Sequence, residues 1–199
     1  HNIDIVEDNC ESMGASFKDK KAGTFGVMGS FSCFFSHHIS TMEGGNIVTD
    51  DEELYHILLS LRAHGWTRNL PKVNKVCSEK SKDPFKETFR FILPGYNVRP
   101  LELEGAIGIQ QLKKLPGFIA QRQKNGANFK KVMENHPDLI IQKEIGKSSW
   151  FGFSLIIKHT SKMQRKSLIE KLELLGFESR PIVSGNFSES EVMKYFDYT

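Results

Sequence analysis

The sequence predicts an α/β fold with a smaller α+β domain towards its C-terminal end, and three observations carry that expectation. Short apolar runs end in polar chemistry, as where Ile3-Asp4-Ile5-Val6 gives way to Glu7-Asp8-Asn9. A capped amphipathic helix follows the third such run. A strand-helix-strand pattern closes the chain after His136-Pro137.

The first strand is expected over residues 2–6, which sets Asp8 at the end of a buried strand, the edge where open α/β sheets bind ligands. A second buried strand is expected over 28–35 (MGSFSCFF), followed at once by Ser36-His37-His38. Gly44-Gly45 then turns the chain into a third strand, Asn46-Ile47-Val48-Thr49. Asp50 or Asp51 can cap a helix with Glu52 and Glu53 in its first turn, Leu54, Ile57, Leu58 and Leu61 on one face, and Gly65 past its end. The lysine-rich stretch 71–86 has no periodicity and reads as a loop with a solvated face. Beyond Pro100, Leu103, Ala106, Ile107, Gln110, Leu112 and Leu115 mark one helix. A second helix is expected over 117–135, with Phe118, Ile119, Phe129, Val132 and Met133 inward. Trp150 to Lys158 reads as strand, Ser161 to Leu175 as a helix closed by Gly176, and Phe177 to Val183 as extended chain. The domains then divide at 1–115 and 116–199, with no internal repeat.

Composition narrows the function classes. With 199 residues, 39% of them hydrophobic and 26% charged, the chain can bury a sizeable core, which excludes disordered and fibrous classes. A net charge of +3 is too weak to imply a nucleic-acid partner and fits an anionic small molecule. Cys10, Cys33 and Cys77 are odd in number and widely spaced, suggesting neither a disulfide framework nor a metal or iron-sulfur site, and they fit a reducing cytoplasm. No apolar run approaches the roughly 20 residues that span a bilayer, so no membrane partner is expected. The chain starts at His1 without methionine and stops abruptly with Met193-Lys194-Tyr195-Phe196-Asp197-Tyr198-Thr199, so it is expected to be a piece of a longer protein.

Three constellations recur at strand ends: Asp8 with Glu11, Ser32 with His37 and His38, and Asn97 with Arg99. A strand-end aspartate can cap a turn or hold a cationic ring nitrogen. Adjacent histidines in a strand face opposite ways and lack metal-ligand spacing, which leaves a packed histidine beside a surface one, or a general acid/base titrating near pH ~6.5.

The stretch Glu7-Asp8-Asn9-Cys10-Glu11-Ser12-Met13-Gly14-Ala15 resembles the EDxAQxxGA motif of the DegT/DnrJ/EryC1/StrS sugar aminotransferases. Residues Ser32 to Gly45 resemble that family's SFxxxKxLxxGEGG motif in register, and Gly95-Tyr96-Asn97-Val98-Arg99 resembles its GxNxR motif. The resemblance implies part of the type I PLP-dependent aminotransferase fold, a mixed, mostly parallel sheet flanked by helices. It implies that Asp8 pairs with the pyridine nitrogen of pyridoxal 5'-phosphate, that Ser32 binds its phosphate, and that Asn97 reaches the phosphate of a partner subunit's cofactor in a homodimer. Glu11 would lie beside the ring's phenolic oxygen, where the family more often has glutamine.

The departure that matters is His37, which stands where the aminotransferases carry the lysine that binds the cofactor covalently. A histidine there resembles the family's 3-dehydratases of deoxysugar synthesis, which remove a ring hydroxyl instead of installing an amine. With no clustered cysteines the iron-sulfur, CDP-sugar branch fits less well. The resemblance points to dehydratases acting on a GDP-linked 4-keto-6-deoxyhexose in colitose-type, O-antigen synthesis, with L-glutamate converting the cofactor to pyridoxamine phosphate and His37 as base. Arg68 and Arg99 are candidates for the nucleotide diphosphate, Phe89 for the sugar or base, and Glu178 for the hexose, each with a plain surface or packing role as the alternative. Action on another nucleotide sugar, and a noncatalytic homologue that lost its lysine, are the competing readings. Retention of Asp8, Ser32 and Asn97 argues against decay.

Overall fold

The computed structural model describes residues 3–183 and 185–197, so Asn2 of the first expected strand and the closing Tyr198-Thr199 lie outside the described residues. The chain forms two compact units, one of residues 1–126 with 144–151, the other of 127–143 with 152–199.

The first unit is built on a three-stranded mixed sheet. Strand β1 (Val6–Asp8) is followed by a small antiparallel pair, β2 (Ser16–Phe17) and β3 (Lys20–Lys21), then by β4 (Met28–Ser32) and β5 (Gly45–Val48). The sheet order is β1-β4-β5. β1 runs parallel to β4, with Asp8 opposite Ser30, and β4 runs antiparallel to β5, with Ser32 opposite Gly45. Asp8 and Ser32 therefore end neighbouring parallel strands at the same edge. The first strand starts later than the apolar run suggests, because pairing with β4 begins at Val6, while Ile3 and Ile5 stay exposed. The second stops at Ser32, not Phe35, because Ser32 Oγ accepts from the Phe34 N–H at 3.1 Å and turns the chain out of the sheet.

Alternation along β1 aims Glu7 away from Asp8, and its carboxylate gathers three backbone donors. It accepts from Gly23 and Gly26 at 2.7 Å and from Phe25, fixing the approach to β4. Burial alone would push the Glu7 carboxyl up, but these N–H groups, with Lys20 nearby, hold it below its usual value. That contribution to stability is fully present above about pH 4.3, the ordinary glutamate value, and is lost as pH falls through the lower folded value. Glu7→Gln should destabilise by about 1–3 kcal/mol at neutral pH, with the gap from wild type closing on acidification. Urea unfolding at several pH values checks this, and a gap that stayed constant down to pH ~2 would refute the role of the charge.

Helix α1 (Glu52–Leu61) is capped by Asp51, whose side chain accepts from Leu54 N at 2.9 Å. Its buried positions are His56 and Ser60, whereas the expected Leu54, Ile57, Leu58 and Leu61 are only half-buried. The lysine-rich stretch is a hairpin and a helical turn instead of a loop: β6 (Val73–Asn74), β7 (Ser78–Glu79) and α2 (Pro84–Glu87). Asn74 makes the turn by accepting from Val76 N at 3.0 Å and Cys77 N at 2.9 Å. The hairpin docks on α1 where Lys75 N donates to His56 Nδ1 at 3.2 Å.

The Gly95-Tyr96-Asn97 motif is laced to the segment after α1. His64 N donates to Tyr96 O at 2.8 Å, Ile92 N to Gly65 O at 2.8 Å and Val98 N to Arg62 O at 3.0 Å. The backbones approach so closely that a Cβ on Gly95 would sit 1.9 Å from Gly65 N, and one on Gly65, at φ +77°, would sit 1.6 Å from Leu93 O. Gly65→Ala should cost at least about 2 kcal/mol, combining left-handed strain with overpacking, and thermal unfolding monitored by circular dichroism reads it out. An unchanged melting temperature would rule out that packing.

Helix α3 (Glu102–Met133) is one continuous 32-residue helix, not two. Pro116 lies inside it; the missing N–H costs one bond to the Leu112 carbonyl but does not end the helix. The expected domain junction near 116 therefore falls in mid-helix, and the units divide after Gly126. Residues 144–151 belong to the first unit, where Lys147 pairs with Ser16.

In the second unit β8 (Leu139–Ile141) pairs antiparallel with β9 (Leu155–Ile157), and Phe129 stacks on Phe153 at 4.4 Å. Only three residues of the expected 150–158 strand are paired, and β8 carries no alternation that marks it in the sequence. Helix α4 (Arg165–Leu174) ends at Gly176, φ +82°, where Phe177 N returns to Leu172 O at 2.9 Å. No strand is assigned over 177–183.

Candidate active site

The C-terminal edge of β1 and β4 gathers the chemistry. Asp8 Oδ1 accepts from Cys10 N at 3.1 Å, while the carboxylate stays exposed. The Cys10 thiol and then the Cys10 N–H hold the Asp8 carboxyl below its usual value, with His37 adding a favourable charge. Burial, then the Asp8 carboxylate, push the Cys10 thiol up, and the same thiol lies against the Ser32 backbone and the Ser30 hydroxyl. Cys10 thus ties the end of β1 to the end of β4.

His37 rides on the loop that joins β4 to β5. That loop is closed at its base, where Cys33 N donates to Gly44 O at 3.0 Å and Thr41 N to Cys33 O at 2.8 Å. Thr41 Oγ1 also donates to the Glu43 carbonyl, and Met42 (φ +77°) and Gly44 (φ +99°) take the left-handed conformations that bring the chain back. Inside the loop, His37 N donates to Phe34 O at 3.0 Å. The His37 ring is half-buried, with Phe151 tilted against it at 5.3 Å and Phe34 edge-on at 6.2 Å. His38 is fully buried, its Nε2 3.3 Å from the Ser149 carbonyl. Burial, then the Arg122 charge, lower the His38 pKa, so this imidazole is neutral. The adjacent histidines thus divide into one partly open ring and one enclosed ring.

Arg122 of α3 holds the facing segment. Its Nη1 donates to the carbonyls of Trp150 at 3.0 Å and Phe151 at 3.2 Å, while the Trp150 ring closes over Gly126, 2.5 Å from where a Cβ would lie. Sequence reasoning missed Glu7, Arg122, Ser149 and Phe151. The one available signal was the spacing of Arg122 and Gly126, four apart and so on one face of a helix.

The structure brings Asp8, Ser32 and His37 to one sheet edge. It also joins Arg68 and Phe89 about Trp66: the guanidinium lies 4.9 Å above the indole and Phe89 stacks on it at 5.5 Å. Phe89 is 70% exposed, which sets aside a plain core role. Glu11 is exposed in the turn after Asp8, Asn97 is exposed and bridged to Ala63, and Arg99 is exposed two residues further on. Glu178 is exposed in the second unit, after the Gly176 turn.

Residues 1–195 match the model of the DegT/DnrJ/EryC1/StrS aminotransferase family. The chain belongs to that family. Two curated members, GDP-4-keto-6-deoxy-D-mannose 3-dehydratases of Yersinia pseudotuberculosis and Escherichia coli, are 63% and 65% identical over all 199 residues, which cover 51% of each relative's length. A solved E. coli GDP-4-keto-6-deoxy-D-mannose-3-dehydratase with bound hydrated PLP is 64% identical with a TM-score of 0.96, covering 100% of this chain and 51% of that one. The same type I aminotransferase fold extends to Helicobacter pylori PseC, at 24% identity and a TM-score of 0.76, covering 100% of this chain and 50% of that one. The chain spans about half the length of the curated family members it matches.

Proposed function

We propose that the protein to which this chain belongs is a PLP-dependent nucleotide-sugar 3-dehydratase that removes the C3 hydroxyl of GDP-4-keto-6-deoxymannose, with L-glutamate as amino donor. The observation that carries the reading is His37 in the lysine position of a family site whose other members, Asp8 and Ser32, are kept. Support comes from the 3-dehydratases at 63–65% identity, and from a mutant GDP-4-keto-6-deoxymannose-3-dehydratase with bound GDP-perosamine that is 64% identical with a TM-score of 0.96.

The site fits the cofactor. Asp8 presents an exposed carboxylate held in its charged form, which would pair with a protonated pyridine nitrogen. The Ser32 hydroxyl ends the neighbouring strand and would meet the phosphate, Glu11 would lie by the phenolic oxygen, and Asn97 would reach the partner subunit's cofactor phosphate. Bound there, PLP supplies an electron sink for the carbon that loses a proton. Position 37 offers an imidazole and no amine, so the cofactor is held by these residues without a covalent link. His37 would move the protons: it would take one from the α-carbon of glutamate and deliver it to the cofactor carbon, and with sugar bound it would take a proton back from that carbon and, as imidazolium, give it to the C3 hydroxyl, which departs as water. Arg68 and Arg99 would grip the diphosphate, with Phe89 and Glu178 against the sugar end.

Incubating the complete protein with PLP, glutamate and GDP-4-keto-6-deoxymannose should give, by mass spectrometry, a sugar lacking one oxygen and retaining no nitrogen. An amino sugar or no turnover would overturn the reading. The role of Asn97 requires a homodimer, which light scattering checks, and a monomer would exclude it. Cytoplasmic colitose-type, O-antigen synthesis is the setting this reaction fits.

A further inference from the structure

A general base must present its nitrogen at one place, and a functional histidine is commonly held there by a hydrogen bond to its other nitrogen. His37 has no such bond among the described residues: Nδ1 is buried and unpartnered, and Nε2, which is not enclosed, meets no donor or acceptor either. The Cβ–Cγ torsion of histidine is soft, and turning about it carries Nε2 away from its place.

What meets the ring is aromatic. Phe151 lies against it at 5.3 Å, tilted by 32°, and Phe34 stands edge-on at 6.2 Å, both within the range of paired rings. Phe34 belongs to the loop that carries His37, so the contact that ties the imidazole to a distant part of the chain is Phe151. The segment bearing Phe151 is fastened at four successive carbonyls. Ser148 O accepts from Gln123 Nε2 at 3.2 Å, Ser149 O from His38 Nε2 at 3.3 Å, and Trp150 O and Phe151 O from Arg122 Nη1 at 3.0 and 3.2 Å. Trp150 takes φ +49°, a left-handed conformation that a residue with a side chain adopts only where its surroundings over-determine it. Gln123 and Arg122 fix the segment to α3, while His38 fixes it to the very loop that carries His37.

Resting on the reading of His37 as the base, we infer that Phe151 is a positioning residue: its ring, held by the 148–151 segment, fixes the plane of the His37 imidazole and so the place of Nε2. Phe151 is half-buried, so its substitution leaves the sheet and α3 intact.

The test uses the complete protein labelled with ¹³C-histidine, the His37 ring signal being the one lost in His37→Asn. In wild type the His37 Cε1–H order parameter should be near about 0.85, and Phe151→Ala should lower it below about 0.6. The same variant should lower kcat by about 10–100-fold at unchanged KM for GDP-4-keto-6-deoxymannose. Phe151→Tyr, which keeps the ring, should restore both, and Phe151→Leu, which fills the space without a flat face, should move both in the direction of Phe151→Ala. A merely structural role would lower the melting temperature and leave the ring order and the kcat of the folded protein unchanged, which overturns the inference. So would a mobile His37 ring in Phe151→Ala with undiminished kcat. Ring order does not depend on turnover: an inactive wild-type protein whose rigid His37 ring is loosened by Phe151→Ala would sink the functional reading and support the contact.

Discussion

His37→Lys should abolish C3 deoxygenation and at the same time create a covalent, borohydride-trappable link to PLP that the wild-type protein lacks. The loss should be about 10²–10⁴-fold, the usual contribution of a positioned general base. Two properties of the site make the exchange clean. The loop holding residue 37 is closed by backbone bonds of Cys33, Thr41 and Gly44 and by Thr41 Oγ1, none of which involves the side chain at 37. The rings of Phe34 and Phe151 that flank the imidazole would pack equally well on the methylene stem of a lysine. A lysine amine would compete with glutamate and the sugar for the same cofactor carbon, which an imidazole does not. His37→Asn is the control: it should lose activity to a similar extent with no trapped adduct. Mass spectrometry after borohydride reduction reads the adduct, and sugar analysis reads the reaction. Deoxygenation by His37→Lys at the wild-type rate would remove His37 from the mechanism.

The sequence made some of this site legible for local reasons. Asp8 follows an apolar run and Asp51 precedes an acidic first turn, so the strand end and the helix cap both announce themselves within a few residues. The three motifs placed Asp8, Ser32 and His37 in order along the chain, and parallel pairing of β1 with β4 brought the first two to one edge. What stayed hidden depends on partners far along the chain. Glu7 looks like one more acid beside Asp8, and only the returning 23–26 backbone, 16 to 19 residues later, shows why it is there. The hairpin at 73–79 comes from the side chain of Asn74, which hydrophobic periodicity does not weigh. The two helices expected on either side of residue 116 are one, since Pro116 removes a single hydrogen bond from a 32-residue helix without ending it. His38 could not be told from His37 by composition: Ser149, 111 residues away, is what buries one of the two.

Asp8→Asn tests the other half of the site, and its expected effect is nearly as large. An amide is close in shape to the carboxylate but cannot hold a proton on a pyridine nitrogen by charge, so the ring would lose much of its capacity to take up electrons. Removing one preorganised electrostatic partner of this kind typically lowers kcat by about 10²–10³-fold. The fold should be untouched, because Asp8 is exposed and its Oδ1 accepts from the Cys10 N–H, as an Asn Oδ1 can also do. Equal melting curves for wild type and variant would establish that the loss is chemical. Cys10 supplies a graded version of the same test. Its thiol is the largest influence holding the Asp8 carboxyl down, so Cys10→Ala should raise the Asp8 pKa while leaving the charge in place at neutral pH. Activity of Cys10→Ala should match wild type near pH 7 and fall away first on acidification, since a carboxylate with a less depressed pKa gains its proton at higher pH. An Asp8→Asn protein with undiminished turnover and normal PLP affinity would show that the carboxylate does not serve the ring nitrogen.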